Sequence, residues 1–244
     1  MQPPFWGIYF KIYLDLRYPL DYNVTKRLLG KNEVVMARIR DSHKSREDIL
    51  NAAEQEFAEK GIYGSRIDEI ARQAGINKRM IYEYFGNKEE LYKAVLATVY
   101  SRLSRKETVL LSEDISCTDA IKSIISLYFD FLSQNPTYVN MILWENLNKG
   151  KYVQDIDFKV IKDPTFDLLR KIIGKGKQQG VFKAELDAEQ IILSLLTYTF
   201  SYFSNRYTLS KLMGRKLDTE ESIKSRVENV TEMFLSYMCK DDKS

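Results

Sequence analysis

The sequence predicts an all-α protein. Three observations carry that expectation. From Ser45 onward, apolar residues recur three and four positions apart. Capping residues and glycines punctuate the pattern at helix-length intervals. No stretch competes with the alternation of apolar and polar residues that marks a half-buried strand.

The first helix is expected over about residues 46–60. Ser45 is placed as its N-cap with Asp48 three residues on, Ile49, Ala53 and Phe57 form one stripe, and Gly61 ends it. A second helix is expected after Ser65, again with an acid three residues on at Asp68, and with Ile67, Ile70, Ala71 and Ala74 facing inward. Gly75 follows, and Asn77 opens a short helix over Lys78 to Phe85. After Gly86-Asn87, a helix from Lys88 to about Arg105 buries Leu91, Val95, Val99 and Leu103. Later helices are expected at about 118–133, 137–148, 164–179, 188–205 and 220–239. Pro164 is taken as a helix start and Gly180 as a stop.

The bulk numbers bound the function by exclusion. A chain of 244 residues holds one large domain or two small ones. With 29% charged and 44% hydrophobic residues it has an ordinary soluble composition. A net charge of +3 is too small to argue for nucleic acid by itself, so any basic site must be local. Cys117 and Cys239 have no metal-ligand spacing and read as reduced thiols. His43, the single histidine, lies in a basic stretch read as a solvated linker. No catalytic triad, metal site or nucleotide loop is therefore expected, nor any cofactor, and the chain is not read as an enzyme. Gly174 to Gly180 has the wrong spacing for a phosphate loop. No apolar run suits a membrane span, and Phe5 to Leu16 lacks the features of a signal peptide, so a cytoplasmic protein with no membrane partner is expected.

Residues 65–85 carry the chemistry: Ala71 lets two helices approach, Gly75 supplies a left-handed turn, Ile76 and Ile81 fill the wedge, and Asn77 caps the second helix. The outward positions of that helix hold Lys78, Arg79, Met80, Tyr82 and Tyr84. Two cations beside a positive helix end favour a polyanion, and this is the arrangement that enters a DNA major groove. The same geometry also occurs in solvated hairpins of unrelated bundles.

A fuller pattern separates the two. Phe57, Gly61, Ser65, Ile70-Ala71, Ala74-Gly75-Ile76-Asn77, Tyr82, Tyr84-Phe85, Lys88 and Leu91 resemble, at matching spacing, the N-terminal domain of the tetracycline-repressor (TetR) family. The resemblance covers residues 47–93. It implies an N-terminal three-helix helix-turn-helix DNA-binding domain plus a C-terminal helical ligand-binding and dimerisation domain. It implies that Ser65, Tyr82 and Lys88 grip phosphates, and that Lys78, Arg79, Met80 and Tyr84 face bases or the groove wall, with Arg66 and Asn77 counted in the same DNA-binding set. Asn77 stands where Ser or Thr is usual and Arg79 where a small residue is frequent, so base preference cannot be borrowed from relatives. Arg38, Arg40, Lys44 and Arg46 form a basic arm that serves either for DNA contact or as a solvated lead-in. The partners implied are a double-stranded operator, a second copy of the chain and a small-molecule effector, and the function implied is a repressor that its effector releases. An enzyme with an appended head and a helical protein adaptor are the competing classes.

In the back half, the last two helices are expected to dimerise through Ile192, Leu196 and Phe203 and through Val227, Val230, Phe234 and Tyr237. The alternative is that these stripes only close the chain's own core. The ligand set expected is Tyr128, Met141, Trp144, Glu145 and Phe166, although aromatic stripes at this spacing also serve as plain core. The domains expected are an extension and basic arm at 1–44, the head at 45–92 and the effector-binding and dimerisation part at 93–240. Residues 1–35, rich in aromatics and proline, differ from the rest, and Met36 is expected to be the natural start. Intact-mass measurement of the native protein should then give a chain beginning at Met36; a mass that includes Met1 would exclude that start.

Overall fold

A computed structural model describes residues 33–110 and 115–240. Its elements are α1 (Glu33–Gly64), α2 (Ile67–Ala74), α3 (Lys78–Phe85), α4 (Lys88–Leu110), α5 (Cys117–Gln134), α6 (Pro136–Leu147), a 3-10 turn (Val153–Asp155), α7 (Phe158–Gln178), α8 (Ala188–Ser204), α9 (Arg206–Leu212) and α10 (Glu220–Met238). Among the described residues there is no strand, only one isolated antiparallel bridge between Phe182 and Cys239. No described helix is long and apolar enough to cross a membrane.

The expected extension lies outside the described residues as far as residue 32. Residues 33–44, expected to be irregular, are helical, and Ser45 therefore lies inside α1 rather than capping it. Ser65 does not cap α2 either. Its hydroxyl donates to the Ile62 carbonyl at 3.0 Å, and Arg66 is the cap residue, with no side-chain cap bond of its own. The start of α2 is held instead by buried Glu56, ten residues upstream. One oxygen accepts the Arg66 backbone N–H at 3.1 Å and the other accepts from Lys60 at 2.8 Å. The expected start of α7 is also corrected. Asp157 caps it by accepting from the Lys159 N–H at 3.1 Å, and the helix runs on through Pro164. The short helix α9 was not foreseen.

Residues 48 onward form one compact unit, and α4 runs straight across position 93, where the sequence places a domain boundary. Three elements meet through buried Glu54 of α1. The Arg102 guanidinium of α4 donates to both its oxygens, at 3.0 and 2.5 Å, and the Thr137 hydroxyl of α6 donates at 2.6 Å. Aromatic rings continue the joint. Tyr92 of α4 packs edge-on against Phe57 and against Tyr152, each at 5.1 Å between centroids. At the end of α1, Gly61 turns the chain with φ +64°, and the Trp144 indole of α6 lies across it while donating to the Ala58 carbonyl at 3.2 Å. A Cβ at residue 61 would come within 2.8 Å of that ring.

Both the left-handed backbone and the ring exclude a side chain there. Gly61→Ala should lower stability by about 2 kcal/mol or more, read as a drop in thermal midpoint. Gly64→Ala, whose Cβ would meet no atom nearer than 3.3 Å, should cost much less.

Candidate nucleic-acid interface

Local chemistry builds the α2–α3 hairpin. Gly75 closes α2 in the left-handed region, with φ 66° and ψ 29°. Its neighbour Ile76 donates to the Ala71 carbonyl at 3.1 Å, which satisfies one carbonyl that the helix end leaves open. Asn77 is extended and its side-chain oxygen accepts the Arg79 backbone N–H at 2.9 Å. Ile67, Ile70 and Ala71 of α2 and Ile81 and Phe85 of α3 are buried, so the hairpin has one apolar side. The expected cap, turn and wedge are all present.

The exposed end of α3 carries the cations. Lys78 reaches back to Asp68 of α2 at 2.8 Å. That hydrogen bond raises the Lys78 pKa and lowers that of Asp68, so both stay charged across the neutral range. Arg79 donates from Nε to Glu83 at 2.8 Å. Asn77, Lys78, Arg79 and Tyr82 are exposed, as is Arg66. Met80 and Tyr84, expected to face outward, are half-buried, and Tyr84 packs against the core. Two of the expected phosphate contacts turn inward. Ser65 is buried, and the Lys88 ammonium donates to the Ser65 carbonyl at 2.6 Å. Partial burial of Lys88 lowers its pKa. Lys88 thus links the start of α4 to the turn before α2, a role that a partner 23 residues away hides from local pattern. Glu83, which no spacing rule singled out, belongs to the same surface.

The expected ligand residues do not gather round one point. Tyr128 of α5 is buried and its hydroxyl donates to the buried Glu107 carboxylate of α4, which also accepts from Thr165 of α7 at 2.9 Å. Phe166 follows Thr165 and is half-buried, and Met141 is fully buried. Trp144 and Glu145 lie elsewhere, against the head. Trp144 covers Gly61, and one oxygen of Glu145 accepts the backbone N–H groups of Tyr152 and Val153 at 2.6 and 3.0 Å. The other Glu145 oxygen, Tyr92 Oη and Asn148 Nδ2 are buried close to one another without a hydrogen bond of good geometry among them. Tyr92 and Glu107 are fifteen positions apart on α4, about 22 Å along a helix. Among the described residues, no group of three or more His, Cys, Asp or Glu is arranged to hold a metal.

The expected dimer residues divide in the same way. Ile192, Phe203, Val230 and Phe234 are buried within the chain itself, Leu196 and Val227 are half-buried, and Tyr237 is exposed. The outward apolar residues of α8 and α10 are Leu193, Tyr198, Met233 and Tyr237. Tyr198 links the two helices, its ring edge-on to Phe234 at 5.9 Å.

Residues 49–95 match the family model described as bacterial regulatory proteins, tetR family, and residues 118–234 match the one described as tetracyclin repressor-like, C-terminal domain. The HTH-type transcriptional repressor NicS of Pseudomonas putida is 28% identical over 186 residues, covering 76% of this chain and 88% of that protein. The HTH-type transcriptional regulator RutR of Escherichia coli is 27% identical over 190 residues, covering 77% and 87%. The solved structure of the regulator FadR from Bacillus subtilis, in complex with stearoyl-CoA, shares the fold at a TM-score of 0.60 and 18% identity, over 78% of this chain and 98% of that one.

Loss of the Asn77 cap should be felt at the exposed end of α3. Asn77→Ala is expected to cost about 1 kcal/mol in denaturant unfolding, whereas Asn77→Ser, which keeps an accepting oxygen, should be close to neutral.

Proposed function

Because the chain belongs to the TetR family of bacterial regulatory proteins and so is a DNA-binding transcriptional regulator, we propose that α3 enters the major groove of a palindromic operator and that two copies of the chain bind it together. The carrying observation is α3 itself. It is an eight-residue helix, buried beneath by Ile81 and Phe85, whose exposed end presents Asn77, Lys78 and Arg79. A positive helix end with two adjacent cations suits a groove lined by phosphates. Tyr82 and Arg66 flank it as phosphate contacts. Lys88 spends one of its three donors on the Ser65 carbonyl and has two left for a phosphate.

The second copy docks on the outward faces of α8 and α10, where Leu193, Tyr198, Met233 and Tyr237 are exposed. Two-fold pairing there would give the two heads the symmetry that an inverted repeat requires. The body formed by α4 to α8 takes a small-molecule effector. The buried residues Tyr128, Met141 and Glu107 and the half-buried Phe166 give it apolar walls with a polar anchor. FadR of like fold, solved with stearoyl-CoA, supports a small-molecule role for the body. The effector binds more tightly to the state whose heads no longer match successive grooves, and so releases the operator. The chain then acts as a repressor in the cytoplasm, where operator DNA lies.

Selection from a random duplex library with the full chain tests this reading. Enrichment of an inverted repeat is expected, with affinity falling about a hundredfold between roughly 50 and 200 mM salt if about four phosphates are contacted. Binding that is indifferent to sequence would remove the operator reading and favour a protein adaptor. The double substitution Leu193→Asp with Met233→Asp should yield monomers by sedimentation and weaken operator binding by about a hundredfold through lost bivalency. A dimer that survives both charges would place the interface elsewhere.

A further inference from the structure

α3 carries its charges in the order that helices disfavour. Its first turn holds Lys78 and Arg79 with no acid, its last turn holds no base, and Glu83 stands two residues from its end. The helix dipole opposes a cation at the start and an anion at the end. Arg79 followed four residues later by Glu83 is also the weaker orientation of such a pair. The preceding helix does the opposite: α2 opens on Asp68 and Glu69 and closes on Arg72. α4 likewise has Glu89 and Glu90 in its first turn. Helix stability therefore does not account for the placement of Arg79 and Glu83.

The geometry of the pair supplies another account. Arg79 Nε meets Glu83 Oε1 at 2.8 Å, while the arginine side chain stays 85% exposed. Guanidinium offers five donors in a rigid fork. With Nε engaged, Nη1 and Nη2 remain side by side, and among the described residues no acceptor takes them. Two adjacent donors match guanine O6 and N7, the commonest specific contact in a major groove. Lys78 differs, since its ammonium is already held by Asp68.

We infer that Glu83 is a positioning residue that holds Arg79 for two-donor reading of a guanine in each operator half-site, an inference that rests on the entry of α3 into the major groove. The carboxylate acts in two ways. It fixes the direction of the fork, which lowers the cost of ordering Arg79 on the base. It also repels phosphate, so that an Arg79 out of register is penalised on the DNA backbone.

The test uses the full chain on three duplexes: the selected sequence, the same sequence with the guanine replaced, and an unrelated one. Wild type should prefer the guanine by about tenfold or more. Arg79→Ala should abolish that preference at one base pair per half-site. Glu83→Ala should cut it to about threefold or less, while binding to the unrelated duplex holds or tightens and its salt dependence steepens. Glu83→Gln keeps an accepting oxygen without the charge. It should restore most of the guanine preference while unrelated duplex stays bound more tightly than by wild type. A residue that merely stabilised α3 would weaken all three duplexes together and lower the thermal midpoint, which should not move. The inference is overturned if Glu83→Ala leaves the guanine preference intact, if it weakens all duplexes alike, or if the base pair relaxed by Arg79→Ala is not G·C. If wild type selects no motif at all, groove entry itself fails, an outcome distinct from these three.

Discussion

A carboxylate buried at Glu54 sets the register of the molecule. A charge taken out of water needs a counter-charge and hydrogen bonds in good geometry, and removing one partner of such a pair costs about 3–5 kcal/mol. Glu54 finds its partners on α4 and α6, through Arg102 and Thr137. That requirement fixes how far along α1 the other two helices cross. Trp144 then falls on Gly61, one helical segment further on, and Tyr92 falls between Phe57 and Tyr152.

The reading head inherits its placement from this joint. α3 packs against α2 and α4, and α4 is the helix that Glu54 and Tyr92 fix. The segment between α6 and α7 is clamped to the beginning of α4 as well, through Lys93 with Asp155 at 2.5 Å and Lys151 with Glu89 at 3.4 Å. A change in how α6 meets α4 is thereby a change in where the Arg79 end of α3 points. The polar centre of the body, Glu107 with Tyr128 and Thr165, lies further along that same α4. One helix therefore runs from the α2–α3 hairpin to the polar centre of the body, a contiguous connection of the kind through which two sites are coupled.

What could be read in the sequence was local. Asn77 and Gly75 signal their roles because a cap and a left-handed turn are decided within three or four residues. The buried stripes of α2 and α3 follow from periodicity. Ser45 misled because the helix continues ahead of it to Glu33. Ser65 misled because a capping pattern says nothing of a carboxylate elsewhere in the chain, and Glu56 holds the start of α2 from ten residues away. Glu54 and Lys88 were invisible as joints for the same reason, their partners lying 23 to 83 residues off. Ile192, Phe203, Val230 and Phe234 show a different limit. Period marks the apolar face of a helix, but not whether its own chain or a second copy covers it. Trp144 and Glu145 repeat that lesson for the ligand set, since an aromatic stripe shows that a face is covered without showing by what.

Trp144 occupies the space where a side chain at position 61 would stand. A head transplanted from another regulator brings its own first helix, and any β-carbon at the matching turn would strike the indole and lift the graft from this body. Compatible chimaeras are thus restricted to donors with a gap at that turn, whatever DNA they recognise. The exposed Arg79–Glu83 pair of α3 carries no such restriction, since both partners lie on the one helix. With α3 as the proposed reading helix, retargeting this protein to a new DNA sequence becomes a matter of rewriting a few exposed side chains in place, not of exchanging heads.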